Sequence, residues 1–170
     1  MVQDGETVMI ESGSCCAILA DELVQHKRNL TIITNSAFIA GYIRKIPHDK
    51  IILLGGDYPN ESQVMVGPIA HQNVQGFSVG KFFIGIDGFS EKAGFTGRNH
   101  VQAETVRNMA KQARTVIVLA ESEKFANPGI VPLLPPAGVD ILVTDSAIPP
   151  ETGRSLEDSG IRIIKARDAE

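Results

Sequence analysis

Thr7-Val8-Met9-Ile10-Glu11-Ser12-Gly13-Ser14-Cys15-Cys16 is the stretch on which the fold of this chain turns. A run of β-formers, residues 7–10, stops at small polar residues, and helical periodicity begins directly after it. Over residues 14–25 the apolar Cys16, Leu19, Ala20, Leu23 and Val24 share one helical face, and Asp21, Glu22 and Gln25 take the other. A strand that enters a helix through Ser-Gly-Ser leaves the first helical N–H groups unpaired. With the positive end of the helix dipole and nearby hydroxyls, they form a candidate cradle for an anion such as phosphate. A plain tight turn with an N-cap has the same composition; recurrence of the pattern is what favours the cradle.

Working outward, apolar runs keep ending in small polar clusters. Residues 30–33 end in Thr34-Asn35-Ser36, 50–54 in Gly55-Gly56-Asp57, and 81–84 in Gly85-Ile86-Asp87-Gly88. Residues 115–119 end in Ala120-Glu121-Ser122-Glu123-Lys124 and 140–143 in Thr144-Asp145-Ser146; a last strand is expected at 161–164. Helical segments are expected between them, at 37–44, 67–74, 101–113 and after Pro149-Pro150. Strands alternating with helices predict an α/β fold with a parallel sheet, whose strand-end clusters share the edge where such sheets bind ligands. Residues 89–100, rich in Gly and polar groups, read as a mobile loop, and the Pro-rich stretch 128–136 as a connection.

Composition agrees. The 170 residues are 43% hydrophobic with only 5% aromatic and no Trp, enough for one well-buried domain, or one with a small subdomain, built on Ile, Leu, Val and Ala. A formal charge of −4 without a Lys/Arg block argues against a nucleic-acid surface of its own and against a polybasic membrane contact. No segment approaches the length of a membrane span, and no signal peptide opens the chain. The turn signal Asp4-Gly5 precedes the first strand directly, so this sequence has no room for a leading domain. Cys15 and Cys16, the only cysteines, are adjacent and offer neither a disulfide framework nor ligand spacing, which suits a reducing cytosol. His26, His48, His71 and His100 are scattered, so neither a metal nor a cofactor is expected.

The single residues carry competing readings. Cys15 sits where a helix would stabilise a thiolate, yet a packing role is favoured. Gly55-Gly56 is no dinucleotide fingerprint; it permits close approach to a ligand or marks a plain loop. Asp87 suits sugar hydroxyls or general-base work, or closes a turn. Lys124 is the one cation of the strand-end clusters apart from the more remote Arg98, and either phosphate or Glu121 and Glu123 could claim it. Glu104 is a favourable charge near a helix start, or a ligand sensor beside the expected loop.

The ordered set Ile-Glu-Ser-Gly-Ser-Cys (10–15), Thr-Asn-Ser (34–36), Leu-Leu-Gly-Gly (53–56), Val-Gly-Pro (66–68), Phe-Ile-Gly-Ile-Asp-Gly (83–88), Gly-Phe-Thr (94–96), Ala-Glu-Ser-Glu-Lys-Phe (120–125) and Val-Thr-Asp (143–145) resembles the C-terminal sensor domain of the DeoR family of bacterial transcriptional regulators. The resemblance implies a Rossmann-like fold, helices on both sheet faces, related to ribose-5-phosphate isomerase and coenzyme A transferases. It implies a non-catalytic cytoplasmic domain that binds a phosphorylated sugar or polyol. An N-terminal winged helix-turn-helix, which this sequence lacks, would bind the operator, and the whole would be a homo-oligomer. Carried over by position, Ser12, Gly13, Ser14 and Cys15 would hold the phosphate. Thr34, Asn35, Gly55, Gly56, Asp87, Gly88, Glu104 and Lys124 would line the rest. The family often has Asp-Ser-Gly-Thr-Thr where this chain has Glu11-Ser12-Gly13-Ser14-Cys15, and Asp-Ser-Ser-Lys where it has Glu121-Ser122-Glu123-Lys124. The thiol of Cys15 is a weaker donor than a hydroxyl. The rival readings are an aldose–ketose isomerase of the ribose-5-phosphate type, for which Asp87 has no second acid nearby in sequence, and an oligomerisation module with a vestigial pocket.

Overall fold

A strand covered on both faces must be apolar at consecutive positions, and β1 (Thr7–Ile10) is such a strand: Val8 and Ile10 enter one core layer and Met9 the other, all three with zero exposure. The computed structural model describes residues 1–44 and 50–166; His48 lies outside them. After β1 come α1 (Ser14–His26), β2 (Thr31–Thr34), α2 (Ala37–Ile43), β3 (Lys50–Leu53), α3 (Gly67–Val74) and β4 (Val79–Gly85). Then follow β5 (Gly88–Ser90), β6 (Gly94–Gly97), α4 (His100–Ala110), β7 (Ala113–Leu119), β8 (Val131–Leu134), β9 (Ile141–Thr144), α5 (Pro150–Asp158) and β10 (Arg162–Lys165).

Seven strands form one parallel sheet in the order β10-β9-β7-β4-β1-β2-β3. The chain runs outward from β1 to β3, then returns through α3 to place β4 on the other side of β1. The strand order therefore reverses between β1 and β4, where Ile10 stands beside both Thr34 and Phe83. Alternation along each strand feeds two cores: Phe82 and Ile84 face the α3–α4–α5 layer, and Phe83 faces α1 and α2. The fold is α/β with helices on both faces, as expected, and all seven expected sheet strands are present.

Two expectations need correcting. Residues 89–100 do not form a loop: with β8, from the Pro-rich connection, β5 and β6 make a three-stranded antiparallel sheet. Phe89 and Phe95 are buried there, with ring centroids 5.1 Å apart, and Phe125 stands 6.0 Å from Phe89. Glycine in this segment serves close backbone packing: a Cβ on Gly88 would lie 2.1 Å from the Asn127 carbonyl oxygen. Pro132 is tolerated because β8 is an edge strand. The second correction is the end of α4, which stops at Ala110; Ala113, expected in the helix, opens β7.

Candidate functional site

The reversal point between β1 and β4 opens into a cavity of about 410 Å³, to which Ser62 and Leu133 of β8 also contribute. The β1–α1 turn contributes Glu11 to Cys15, the β4 end Gly85 to Asp87, the segment after β6 Gly97 to Asn99, α4 Gln102, and the β7 end Ala120, Glu121 and Lys124. A shallower hollow of about 290 Å³ continues past Ser12 to Ser14 toward Ser36, Phe38 and Ser62.

Gly13 is the N-cap of α1, at φ 121° and ψ 158°, and no side chain caps the helix. Its carbonyl accepts from Ala17 N–H at 2.9 Å, which leaves the N–H groups ahead of Ala17 as the helix's unpaired donors. Backbone in that region is essentially reserved for glycine. Across the cavity a 3₁₀ turn, Ser122–Phe125, carries Lys124. That turn is anchored by Asp145, just past β9, which accepts from Ser122 N–H at 2.7 Å and from Ala147 N–H at 2.9 Å. These bonds, led by the one from Ser122, hold the Asp145 carboxyl below the usual range. Lys124 meets Glu123 at 3.2 Å, and Arg98 meets Asp87 at 3.3 Å; both pairs are partly or largely exposed, so neither locks its cation away.

Glu11 is the buried acid of the site, 6% exposed. It accepts the Ser12 hydroxyl at 2.6 Å. Burial pushes its carboxyl up to about 7; the Ser12 hydroxyl and the Ser12 and Gly85 N–H groups pull against that, and Asp87 adds to it. Cys15 is half-buried in the wall. Burial first, and then Glu121, raise its thiol, so it stands there as a neutral SH group.

Residues 1–146 match the family model described as the DeoR C terminal sensor domain. The chain belongs to that family. It is 26% identical over 170 residues to the HTH-type transcriptional regulator UlaR of Shigella dysenteriae, covering 97% of this chain and 64% of that protein. It is 24% identical to the HTH-type transcriptional regulator GolR of Listeria innocua, over 96% of this chain and 64% of the relative. With the transcriptional repressor AccR of Agrobacterium fabrum the identity is 28%, over 86% and 57%. The chain thus spans about three-fifths of the length of these relatives. Among solved structures, ribose 5-phosphate isomerase A from Neisseria gonorrhoeae aligns with a TM-score of 0.51 at 12% identity, over 73% of this chain and 47% of that one. The isomerase from Plasmodium falciparum gives 0.50 at 14%, over 76% and 48%. At these identities the likeness is one of fold alone.

In this DeoR-type sensor domain the cavity brings together six of the twelve positions named from sequence: Ser12, Gly13, Ser14, Cys15, Asp87 and Lys124. The other six stand outside its lining. Thr34 and Asn35 are buried in the β2–α2 turn, where Thr34 Oγ1 accepts from Ser36 N–H and Asn35 donates to the Met65 carbonyl. Gly55 N–H is taken by Asn73 Oδ1 at 3.0 Å, and a Cβ on Gly56 would lie 2.6 Å from Val66 O. Gly88 packs against the Asn127–Gly129 backbone. Glu104 points away on α4 and meets His71 at 3.8 Å.

Folding brings into the lining Arg98, remote from the strand-end clusters in sequence, together with Asn99 and Glu11. Arg98 reaches Asp87, and Asn99 caps α4 by accepting from Val101 and Gln102 N–H. The spacing Asn99-x-x-Gln102 was a legible helix start. Glu11 joins Asp87 on one cavity wall, supplying the second acid that Asp87 lacks in sequence. Among the described residues there is no group of three potential metal ligands and no helix long and apolar enough to cross a membrane.

Proposed function

We propose that this domain senses a phosphorylated sugar or polyol in the cytoplasm and that its occupancy modulates operator binding by a DNA-binding domain of the same regulator. One observation carries the reading: the uncapped N-terminus of α1 and Lys124 line the same cavity at the β1/β4 reversal. An anion is the ligand such an arrangement favours. Ser62, Asn99, Gln102 and Asp87, set among the apolar Ile86, Val106, Leu119 and Leu133, suit the hydroxyls and carbon frame of a polyhydroxylated body. Asp87 is engaged by Arg98 within the lining. Family membership supports regulation over turnover, and the relatives named above are called transcriptional regulators.

The test is isothermal calorimetry against matched pairs of sugars and polyols with and without phosphate. At least one phosphorylated member is expected to bind at least tenfold more tightly than its unphosphorylated twin, since a charge-assisted contact contributes about 1.5–3 kcal/mol. Equal affinity within every pair would remove the phosphate from the account.

A further inference from the structure

The floor of the cavity holds a buried carboxyl that anion binding alone does not require. Glu11 is the one carboxylic acid among the buried polar side chains described, the others being Thr and Ser hydroxyls and the Asn35 amide. It is wedged between the Ser12 hydroxyl, 2.6 Å away, and the β4 end at Gly85. Asp87 bears on it from the β4 side, and the fully buried Cys16 thiol from α1. Arg98, Glu121 and Lys124 complete the charged groups of the lining; His100 opens α4 next to the lining residue Asn99.

The balance of these groups is unusual for an anion site. With Glu11 ionised, the carboxylates of Glu11, Asp87 and Glu121 outnumber the cations Arg98 and Lys124. A dianion docked on the α1 N-terminus would then sit beside a carboxylate that has almost no water to screen it. With Glu11 neutral, the side chains balance before the ligand arrives. We propose that an anionic ligand enters this cavity together with a proton, which the Glu11 carboxyl takes up. The inference rests on the phosphate-cradle reading above. Because burial already holds Glu11 divided between its two forms near neutral pH, little is needed to shift it. The sign follows: binding favours the protonated acid, so affinity falls as pH rises above about 7.

The probe is inorganic sulfate, which stays dianionic throughout pH 6 to 8.5 and so contributes no proton of its own. Calorimetry in two buffers of different ionisation enthalpy is expected to show uptake of more than about half a proton per sulfate at pH 8, with affinity on the order of tenfold weaker at pH 8.5 than at 6.5. In Glu11→Gln, which keeps the shape of the neutral acid, both effects are expected to vanish. Sulfate binding without proton exchange in the native protein would overturn the proposal and leave the cradle intact. Uptake that persists in Glu11→Gln would also overturn it, and loss of that uptake in His100→Gln would assign the proton to His100. Failure of sulfate to bind even at pH 6 would remove both the cradle and the proposal.

Discussion

Replacing Gly13 by Val is expected to lower the stability of this domain by about 2–3 kcal/mol and to weaken anion binding on the order of a hundredfold or more. A clash within the protein is not the reason. A Cβ at Gly13 would meet only Gly85 Cα, 3.9 Å away, an ordinary contact. The cost lies in the backbone: φ 121° with ψ 158° is open to glycine and strained for every L side chain, most of all a β-branched one. The chain can relieve that strain only by rotating the β1–α1 turn, and rotation re-aims the first N–H groups of α1. Hydrogen bonds weaken steeply with misalignment, so affinity is lost along with stability. Cys15→Thr is the control. It changes the wall of the same turn without touching its backbone and replaces a neutral thiol by a better donor. It is expected to bind equally well or more tightly. Chemical denaturation and calorimetry on both variants check the pair; a folded Gly13→Val that binds normally would exclude the α1 N-terminus from the site.

Lys124→Ala is expected to weaken binding of a phosphorylated ligand by roughly 10- to 100-fold, because it removes a charge-assisted contact worth about 1.5–3 kcal/mol. Stability should change little. The Lys124–Glu123 pair has Glu123 at 70% side-chain exposure, and such pairs contribute about 0–1 kcal/mol. The 3₁₀ turn itself is held by Asp145 and by the buried Phe125, neither of which the substitution touches. Affinity of the variant should also depend less on salt, since one cation fewer is involved. Glu123→Ala gives the opposite sign: with its exposed partner gone, Lys124 is freer to meet the ligand, and binding should hold or improve. Titrations at two ionic strengths distinguish these outcomes. An unchanged affinity in Lys124→Ala would mean that the phosphate sits elsewhere.

What could be read from the chain beforehand differed between frame and site, for a physical reason. Strand buried on both faces needs uninterrupted apolar runs such as Ile32-Ile33 and Phe82-Phe83-Ile84, and these stand out against polar neighbours. The sheet and its parallel sense were therefore legible. The antiparallel β5-β6-β8 layer was not. Its strands are short and rich in Gly, and what fixes them is contact between distant parts, Gly88 against Asn127 and Gly129 N–H on Thr96 Oγ1 at 2.7 Å. Strand-end clusters look alike in sequence, but only those flanking the β1/β4 reversal, with the β7 end, converge. Of the clusters beyond β2 and β3, only Ser36 reaches the hollow that adjoins Ser12 to Ser14. Glu11 was hidden for a subtler reason. As an acid at a strand end it reads as exposed, and only packing by β4 and α1 covers it.

The central claim is that a phosphate sits on the β1–α1 turn, and a crystal structure of the domain with its tightest phosphorylated sugar tests it most directly. The account predicts phosphate oxygens at about 2.7–3.1 Å from the N–H groups of Ser14 and Cys15 and in contact with Lys124 Nζ, with the sugar directed toward Asp87. A phosphate bound anywhere else, with the turn from Ser12 to Cys15 untouched, would contradict it.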